Sequence, residues 1–379
     1  MKRILIADPS QFGYHVDTYK YARLLQGRFD ITFICWDFGL TKLPEQETRV
    51  IYVSRAGNKV RRLIRYISGV LNEMRSSSFD LVLVVHFPFC SLLRLLQRSQ
   101  TMVIQIVTGY VRDSRIMKLI NDTGLYCESL LFKHVAVQSE SLRRDLHISP
   151  GKSYILPVGA DEMNLQNKTF DAMRLFYVGT LDYRHIDETV RGFARFYEDV
   201  KDGIEVSYDI VGFGSPEEER KLAGTIEETD CSHLVRFYGR VPHDELTPFL
   251  ERNNIGVAFI PMKRHFDCQP ATKVFEYLLS GMAVLATATK ENALVINASN
   301  GVLVGDNADA VYRGLQELYK NRGKFDSRTI KESSRKYSWH AVICDNLETY
   351  LNSLIRTSGQ PSSRAPQELL TSPNQTLRN

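Results

Sequence analysis

Short apolar runs alternate with longer amphipathic stretches along most of the chain. In the first half, runs rich in Val, Ile and Leu predict six strands, at residues 4–7, 31–35, 49–53, 81–86, 102–107 and 134–138. Between most of them, apolar residues recur every three or four positions and predict helices, at residues 16–25, 60–75, 91–98, 114–131 and 141–146. Because the strands are apolar on both faces and helices separate them, the pattern predicts a parallel sheet covered on both sides.

The second half repeats this alternation. Its apolar runs predict six further strands, at residues 175–178, 206–211, 235–238, 256–260, 283–286 and 301–304. No short repeat is present, so the expected fold class is α/β with two doubly wound, Rossmann-like domains. We place these domains at residues 1–160 and 161–337, because residues 157–170 are polar and lack periodicity.

The C-terminal part has two further features. Apolar residues at helical spacing from Trp339 onward predict an amphipathic helix over about residues 338–356. Residues 357–379 are rich in Ser, Pro, Gln and Asn and contain few apolar side chains, so we expect a disordered tail.

Cysteine usage and hydropathy indicate the compartment. The six cysteines are scattered, without C-x-x-C pairs or metal-ligand spacing to histidine. This favours reduced thiols in the cytosol over a disulfide framework, and it gives no sign of a metal or another cofactor. No signal-peptide pattern is present, and no apolar run approaches the roughly 18 residues that a membrane-spanning helix needs. We therefore expect a cytoplasmic protein.

The net charge of +4 hides an asymmetry between the two halves. Residues 1–160 hold 22 Lys and Arg against 13 Asp and Glu, a balance of +9, so the remainder carries −5. A basic half can meet an anionic lipid, a nucleic acid or a phosphorylated substrate. The basic runs lack interleaved aromatic residues, so a dedicated nucleic-acid binder is not expected.

One segment of the second half carries candidate chemistry. After Gln269 and Pro270 comes a short helical pattern with Lys273 and Glu276, followed by a glycine turn and a buried strand. Three positions apart on a helix, these two side chains share a face near the helix N-terminus, where backbone N–H groups favour an anion. The cation could hold a phosphate and the carboxylate could accept from ribose hydroxyls, which predicts a nucleotide-diphosphate site. The alternative is a solvated Lys–Glu pair.

Open α/β sheets bind ligands at the carboxyl ends of their strands, so the loops there supply further candidates. Gly13 and His15 follow the first strand, where the glycine could let backbone N–H groups approach a phosphate or a sugar; a plain turn explains it equally well. His86 ends the fourth strand, either as a ligand contact or as a capped core histidine.

Two more loops lie in the second half. Gly212 and Gly214 follow a strand, but the third glycine of a dinucleotide fingerprint is missing, so a dehydrogenase is not expected. Arg184 opens a helix after another strand and either contacts a diphosphate or lies at the surface as an ordinary arginine. The sequence contains no Walker loop, Ser–His–Asp arrangement or zinc motif.

Taken in order, a series of short segments resembles the retaining GT-B glycosyltransferases of family 4. The segments are QSESL (138–142), ILPVGAD (155–161), YVGTL (177–181), IVGFG (210–214), VRFYGRV (235–241), KVFEYL (273–278) and GMAV (281–284). Each match alone is loose, whereas the ordered set is specific. The resemblance implies two Rossmann-like domains that face each other across a cleft, with the helix near the C-terminus crossing back to the first domain.

The resemblance also implies an activity. The protein would move a sugar, with retention of anomeric configuration, from a nucleotide-sugar donor to a glycan or lipid-linked acceptor in cell-surface polysaccharide or glycoconjugate synthesis. Domain 161–337 would hold the donor and domain 1–160 the acceptor. Lys273 and Arg184 would stabilise the departing diphosphate without a metal, and His86 is a third catalytic candidate. Glu276 matches the family's ribose-binding glutamate, and the other candidate nucleotide contacts are Gly212, Gly214, Gly239 and Val241. Gly13 and His15 are assigned to a phosphate or acceptor loop.

One position departs from the family pattern. The first glutamate of the E-x7-E motif, which usually contacts the donor sugar, falls at Cys268. Asp267 or the backbone substitutes for it, or the sugar is recognised differently. We assign Asp267, Cys268 and Gln269 to donor-sugar binding.

The segment from Lys59 to Arg65 is basic and amphipathic. It is predicted to lie on an anionic membrane surface beside a lipid-linked acceptor, which would make the protein peripheral at the inner face of the membrane. The alternative is a solvated basic helix face.

Three other functions fit part of the pattern. A GT-B nucleotide-sugar epimerase or hydrolase would turn over the donor without an acceptor. A non-catalytic relative would only bind a sugar nucleotide or a glycan. An inverting GT-B enzyme would need a base in the first domain, for which His15 is the nearest candidate.

Overall fold

The computed structural model describes residues 1–44, 47–109, 115–163, 165–268 and 271–358; of Arg115, Arg264, His265 and Ser358 it describes only the backbone. Two predictions fall outside this part of the chain. They are the sugar contact of Gln269 and the disorder of the tail beyond residue 358.

The first sheet has seven strands, and all of its pairings are parallel. The strands are β1 (Lys2–Ala7), β2 (Phe29–Asp37), β3 (Arg49–Ser54), β4 (Leu81–Val85), β5 (Met102–Ile106), β6 (His134–Val137) and β7 (Ser153–Ile155). Their order across the sheet is β3-β2-β1-β4-β5-β6-β7. The six predicted strands are confirmed. The sequence pattern missed β7, because its three residues are only half-buried and form no apolar run.

Helices cover both faces of this sheet. They are α1 (Val16–Leu24), α2 (Lys59–Ser76), α3 (Ser91–Leu96), α4 (Arg115–Leu130) and α5 (Glu140–Asp145). One apolar core lies between the sheet and α2, and the other lies between the sheet and α1. Ser139 caps α5 by accepting a hydrogen bond from the backbone N–H of Leu142 at 3.1 Å.

The second sheet has six parallel strands. They are β8 (Met173–Thr180), β9 (Val206–Phe213), β10 (Val235–Phe237), β11 (Ile255–Ala258), β12 (Ala283–Thr287) and β13 (Gly301–Val304), in the order β10-β9-β8-β11-β12-β13. The helices around it are α6 (Ile186–Val200), α7 (Pro216–Glu227), α8 (Thr247–Arg252), α9 (Arg264–Asp267), α10 (Thr272–Leu279), α11 (Lys290–Ala293), α12 (Ala308–Asn321) and α13 (Ser327–Ser334). The predicted α/β class with two doubly wound sheets is therefore confirmed.

The last helix leaves the second sheet and packs on the first. Its first part, Ala341–Leu347, is π-helical and continues into α14 (Glu348–Ser358). Val342, Ile343 and Leu347 lie in the same core as Ile4 and Leu83 of the first sheet. Burial of this apolar stripe attaches the end of the chain to the first sheet.

Two connections between the sheets run side by side. The backbone N–H of Ala160 donates to the carbonyl of Tyr337 at 2.9 Å, and the N–H of Trp339 donates to the carbonyl of Ala160 at 2.9 Å. Gly159 adjoins this pairing, where an added Cβ would lie 2.6 Å from the Trp339 ring. The two connections are therefore paired where they pass between the sheets.

The carboxyl edges of the sheets also touch. The hydroxyl of Ser139, which follows β6, donates to the carbonyl of Cys268, between β11 and α10, at 3.0 Å. Among the helices of the described ranges, none combines the length and the apolar character needed to cross a bilayer.

Candidate functional site

The predicted helix with Lys273 and Glu276 is α10, which places Lys273 in the first turn and Glu276 in the second. The Lys273 ammonium lies 4.0 Å from the centroid of the Tyr177 ring, as a cation–π contact. It also lies beside Gly179, at the end of β8, where an added Cβ would be 2.6 Å from Nζ. Gly179 has a φ of +149°, and its missing side chain leaves the space that the ammonium fills.

A second cation stands beside Lys273. Burial, together with the positive charge of Arg184, lowers the pKa of Lys273 to about 7, and Glu276 offsets part of the effect. The Arg184 guanidinium lies 4.2 Å from the centroid of the Phe266 ring, and burial lowers its pKa as well. These two half-buried cations repel each other, and a polyanion bound beside them would offset that repulsion.

The loop that holds Arg184 has an unusual backbone. Tyr183 and His185, on either side of it, have φ values of 58° and 52°, in the left-handed region. The N–H of Arg184 donates to the carbonyl of Leu181 at 3.0 Å and closes the turn. Such conformations cost about 1 kcal/mol or more each, so this turn is held by its surroundings.

Glu276 borders a pocket of largely apolar walls. Its other lining residues are Asp161, Met163, Phe176, Val178, His243, Leu246, Leu250 and Ser280. Burial raises the pKa of Glu276; the charges of His243 and Lys273 oppose this effect, and Asp161 adds to it. The volume of this pocket is about 10 Å³, close to that needed for one water molecule.

The glycines predicted to bind a nucleotide let neighbouring strands approach closely. The N–H of Gly212 donates to the carbonyl of Gly239 at 2.9 Å. An added Cβ on Gly212 would lie 2.3 Å from the Gly179 carbonyl oxygen, and one on Gly214 would lie 3.0 Å from the Cβ of Leu181. Val241 is half-buried against the apolar core of the second sheet. Gly212 and Gly214 thus hold the loop after β9 against the loop after β8.

Asp267 and Cys268 both have partners within the protein. The Asp267 carboxylate accepts from the backbone N–H of Lys290 at 2.8 Å and pairs with its ammonium at 3.0 Å. The carbonyl of Cys268 accepts from Ser139, and burial raises the pKa of the Cys268 thiol. The hydrogen-bonding groups of these two residues are therefore already used in part.

His15 forms a dyad with an aspartate that the sequence analysis did not single out. Its Nδ1 lies 2.5 Å from Oδ2 of Asp8, which is fully buried directly after β1. Asp8 also accepts from Thr18 at 2.6 Å and from the N–H of Ser10 at 2.7 Å. Burial works to lower the pKa of His15, but the hydrogen bond and charge of Asp8 outweigh it and raise the pKa. An acidic residue at a carboxyl strand end was the signal available in the sequence.

Gly13 serves packing within the loop. Its φ is +90°, and an added Cβ would lie 2.3 Å from Cδ1 of Leu43. The space beside Gly13 is thus filled by Leu43.

His86 belongs to a separate group at the end of β4. Its Nε2 lies 3.8 Å from Glu128, which accepts from the Cys90 thiol at 3.1 Å and from the N–H groups of Phe89 at 2.8 Å and Ser91 at 3.0 Å. Burial works to raise the pKa of Glu128, but the interaction with His86 and these hydrogen bonds outweigh it and lower the pKa to about 2. No contact within the described ranges joins His86 to Lys273 or Arg184.

The donor atoms of His86, Cys90 and Glu128 lie within 4.8 Å of one another, close enough to hold a metal ion. Both Glu128 oxygens, however, already accept from the chain around residues 89–91. This arrangement fits a carboxylate that fixes the start of α3 better than a metal ligand.

Comparison with known proteins supplies independent findings. Residues 172–321 match the family model described as Glycosyl transferases group 1. The structure of Anabaena Alr3699/HepE in complex with UDP and glucose is 12% identical, with a TM-score of 0.69 over 93% of this chain and 100% of that chain. A comparison with curated proteins gives no match.

Two further solved structures share the fold. The lipopolysaccharide outer core galactosyltransferase WaaB is 11% identical, with a TM-score of 0.71 over 93% of this chain and 100% of that chain. An α,α-trehalose-phosphate synthase (UDP-forming) from Burkholderia vietnamiensis is 11% identical, with a TM-score of 0.69 over 96% of this chain and 100% of that chain. At these identities the likeness shows a common fold over nearly the whole chain.

Proposed function

We propose that the chain, which has the GT-B fold and matches the group 1 glycosyl transferases over residues 172–321, is a glycosyltransferase whose donor is a nucleotide-diphosphate sugar bound at the carboxyl edge of the second sheet. The acceptor is a hydroxyl of a glycan or a lipid-linked saccharide, bound at the facing edge of the first sheet. The structure of Anabaena HepE contains UDP and glucose, which supports a donor of this class.

The observation that carries the proposal is the pair of adjacent cations, Lys273 and Arg184. In sugar transfer, the bond between the anomeric carbon and the diphosphate oxygen breaks, and negative charge grows on the departing diphosphate. Cations already fixed in a partly buried site stabilise that charge without reorganisation. These two side chains lie at a helix N-terminus and at a strand end, where a diphosphate is favoured further.

We propose that the anomeric configuration is retained, as the family resemblance implies. The acceptor oxygen attacks on the same face that the diphosphate leaves, and a diphosphate oxygen takes the hydroxyl proton. This route requires no protein nucleophile, and Lys273 with Arg184 supplies the positive charge that a metal would otherwise provide.

A thermal-shift screen of UDP, GDP, ADP and their sugars tests the proposal. One nucleoside diphosphate and its sugars are expected to raise Tm, which also identifies the base. The absence of a shift with every nucleotide would support a relative without donor binding. Release of nucleotide with and without an acceptor then separates a transferase from an epimerase or a hydrolase.

The dyad of His15 and Asp8 favours a second candidate, an inverting transferase. A histidine held through Nδ1 by a buried carboxylate can take a proton at Nε2, as a general base does. His15 would then deprotonate the acceptor hydroxyl, and the product would have the opposite anomeric configuration. The anomeric coupling constant of the product, measured by NMR, decides between the two routes.

Donor affinity is expected to fall as pH rises above about 7, because the ligand-free Lys273 loses its proton there. A bound diphosphate favours the ammonium, so at higher pH binding takes up part of a proton, and affinity drops by about a few fold in total, as far as loss of the ammonium weakens donor binding. Calorimetry in buffers of different ionisation enthalpy, at about pH 6.5 and about pH 8.5, measures this uptake. Lys273→Arg keeps the charge and should remove the dependence. Equal proton uptake by this variant and the wild type would contradict the assignment.

We also propose that the first domain contacts an anionic membrane surface. On α2, the apolar Val60 and Ile64 are exposed among Lys59 and three arginines, and the side chain of Ile64 is 59% exposed. On α4, Leu119 and Ile120 are exposed as well, with Leu119 at 70%. Exposed aliphatic side chains beside basic ones are typical of interfacial helices. The α4 contribution was not recognised in the sequence.

The protein is expected to co-sediment with vesicles containing anionic lipid at low salt and to dissociate at high salt. Ile64→Ser together with Leu119→Ser should weaken binding by roughly tenfold or more, because each removes an aliphatic group from the lipid contact. Leu294→Ser is a matched control, since Leu294 is equally exposed, at 70%, but directly follows α11, among the helices around the second sheet. Absence of binding at low salt, or equal loss in the control, would remove the membrane proposal.

A further inference from the structure

The described residues just before α10 offer no unpaired carboxylate to a donor sugar. The position expected to hold a sugar-binding glutamate is Cys268, which has no carboxylate. The neighbouring Asp267 is paired with both the backbone and the side chain of Lys290. A sugar with several hydroxyls needs acceptors, and hydroxyl discrimination in particular requires buried polar groups.

A buried carboxylate lies next to this segment. Glu291 follows Lys290 on α11 and is only 6% exposed. Its Oε1 is buried and has no hydrogen-bond partner within the described part of the chain. A buried carboxylate oxygen without a partner costs about 1–3 kcal/mol or more, so such a group is expected to meet a ligand or a proton.

The surroundings of Glu291 come from both sheets. Burial raises its pKa, whereas the nearby hydroxyls of Ser141 and Ser139, at the start of α5, oppose this; the charges of Asp267 and Glu140 add to the rise. Ser139 has one hydroxyl hydrogen and directs it to the Cys268 carbonyl at 3.0 Å, so its support for Glu291 is limited. Glu291 thus lies where the carboxyl edges of the two sheets meet.

The element that carries Glu291 is fixed. Thr289 caps α11 by accepting from the N–H of Asn292 at 3.2 Å, and the Asn292 side chain donates to the Thr287 carbonyl at 2.8 Å. Lys290 ties the same turn to Asp267. A carboxylate on such a fixed turn is suited to discriminate between hydroxyl positions.

We infer that Glu291 binds the donor sugar, with its buried Oε1 accepting a hydrogen bond from a sugar hydroxyl, in place of the glutamate missing at Cys268. The inference rests on the proposed function and adds a residue of α11 to the donor site. The donor sugar is then contacted from the turn after β12, where the family pattern places the contact in the segment before α10.

Binding of a nucleoside diphosphate and of the corresponding nucleotide sugar, compared by calorimetry, tests the inference. In Glu291→Ala, affinity for the nucleoside diphosphate should stay within about twofold, whereas affinity for the nucleotide sugar falls by roughly tenfold or more. Glu291→Gln keeps one acceptor oxygen and the side-chain shape, so it should fall between the wild type and Glu291→Ala. Discrimination between nucleotide sugars that differ at one hydroxyl should narrow in both variants.

Glu140→Gln is the matched control, because Glu140 is a nearby carboxylate that pairs with Arg143 and Arg144. It should leave both affinities unchanged. Equal weakening of nucleotide and nucleotide sugar in Glu291→Gln, or no change in either, would overturn the inference and leave Glu291 a contact between the sheets. A wild-type protein that binds no nucleotide would instead overturn the proposed function itself.

Discussion

Lys273→Ala is expected to lower kcat by roughly two to three orders of magnitude, with a change of only a few fold in nucleotide affinity. Charge on the diphosphate grows as the sugar leaves, so the ammonium contributes more to the transition state than to the bound donor. Arg184, which stays in place, continues to hold the ground-state diphosphate. Steady-state kinetics with the donor identified by the nucleotide screen measures the effect.

The same variant distinguishes a loss of catalysis from a loss of stability. Burial of the Lys273 ammonium lowers its pKa to about 7, which means that the folded protein disfavours the charge. Removing it should therefore leave Tm unchanged or raised. Lys201→Ala, at an exposed lysine paired with Glu198, is the control for loss of a positive charge. A kcat of Lys273→Ala within about threefold of the wild type would exclude Lys273 from the reaction.

Glu276→Ala is expected to weaken nucleotide binding by about tenfold to a hundredfold, because a carboxylate that accepts from ribose hydroxyls contributes about 1.5–3 kcal/mol. Glu276 borders the pocket beside α8, and its burial raises its pKa. Because water is largely excluded there, hydrogen bonds from the ribose to Glu276 would be poorly screened. Glu276→Gln should lose less, since the amide keeps an acceptor oxygen. Calorimetric titration with the nucleoside diphosphate gives the affinity directly.

A matched control lies on the turn before α8. Glu245 is exposed and close in sequence to His243, which also lines the pocket. Glu245→Ala should bind nucleotide as the wild type does. If Glu276→Ala retained full nucleotide affinity, the ribose assignment would be wrong.

Much of the fold was predictable because its strands are continuous apolar runs. All twelve predicted strands are present, and the helix that begins at Trp339 lies where the apolar spacing indicated. The exception, β7, has three half-buried residues and owes its strand conformation to pairing with β6. Pairing of that kind depends on the tertiary fold and leaves no periodic signal in the sequence.

The site was predictable only where chemistry is local. Lys273 and Glu276 share one helix, so their spacing sufficed to bring them together. Asp267 meets Lys290 over 23 positions, and Cys90 meets Glu128 over 38. No local pattern encodes such pairs, because folding creates them. Glu291 was missed for the same reason, since only its burial beside Ser141 and Cys268 distinguishes it from a surface glutamate.

The paired connections at Ala160 and Trp339 give the second sheet the topology of an insertion. The chain enters the second sheet and leaves it at adjacent points, and the final helix then packs on the first sheet. A unit whose two ends meet in space can be replaced by a related unit without lengthening either connection. For recombination, in evolution or in the laboratory, the natural crossover points are therefore the two paired connections. In the proposed function, with the donor on the second sheet and the acceptor on the first, joining there would combine the donor preference of one relative with the acceptor preference of another.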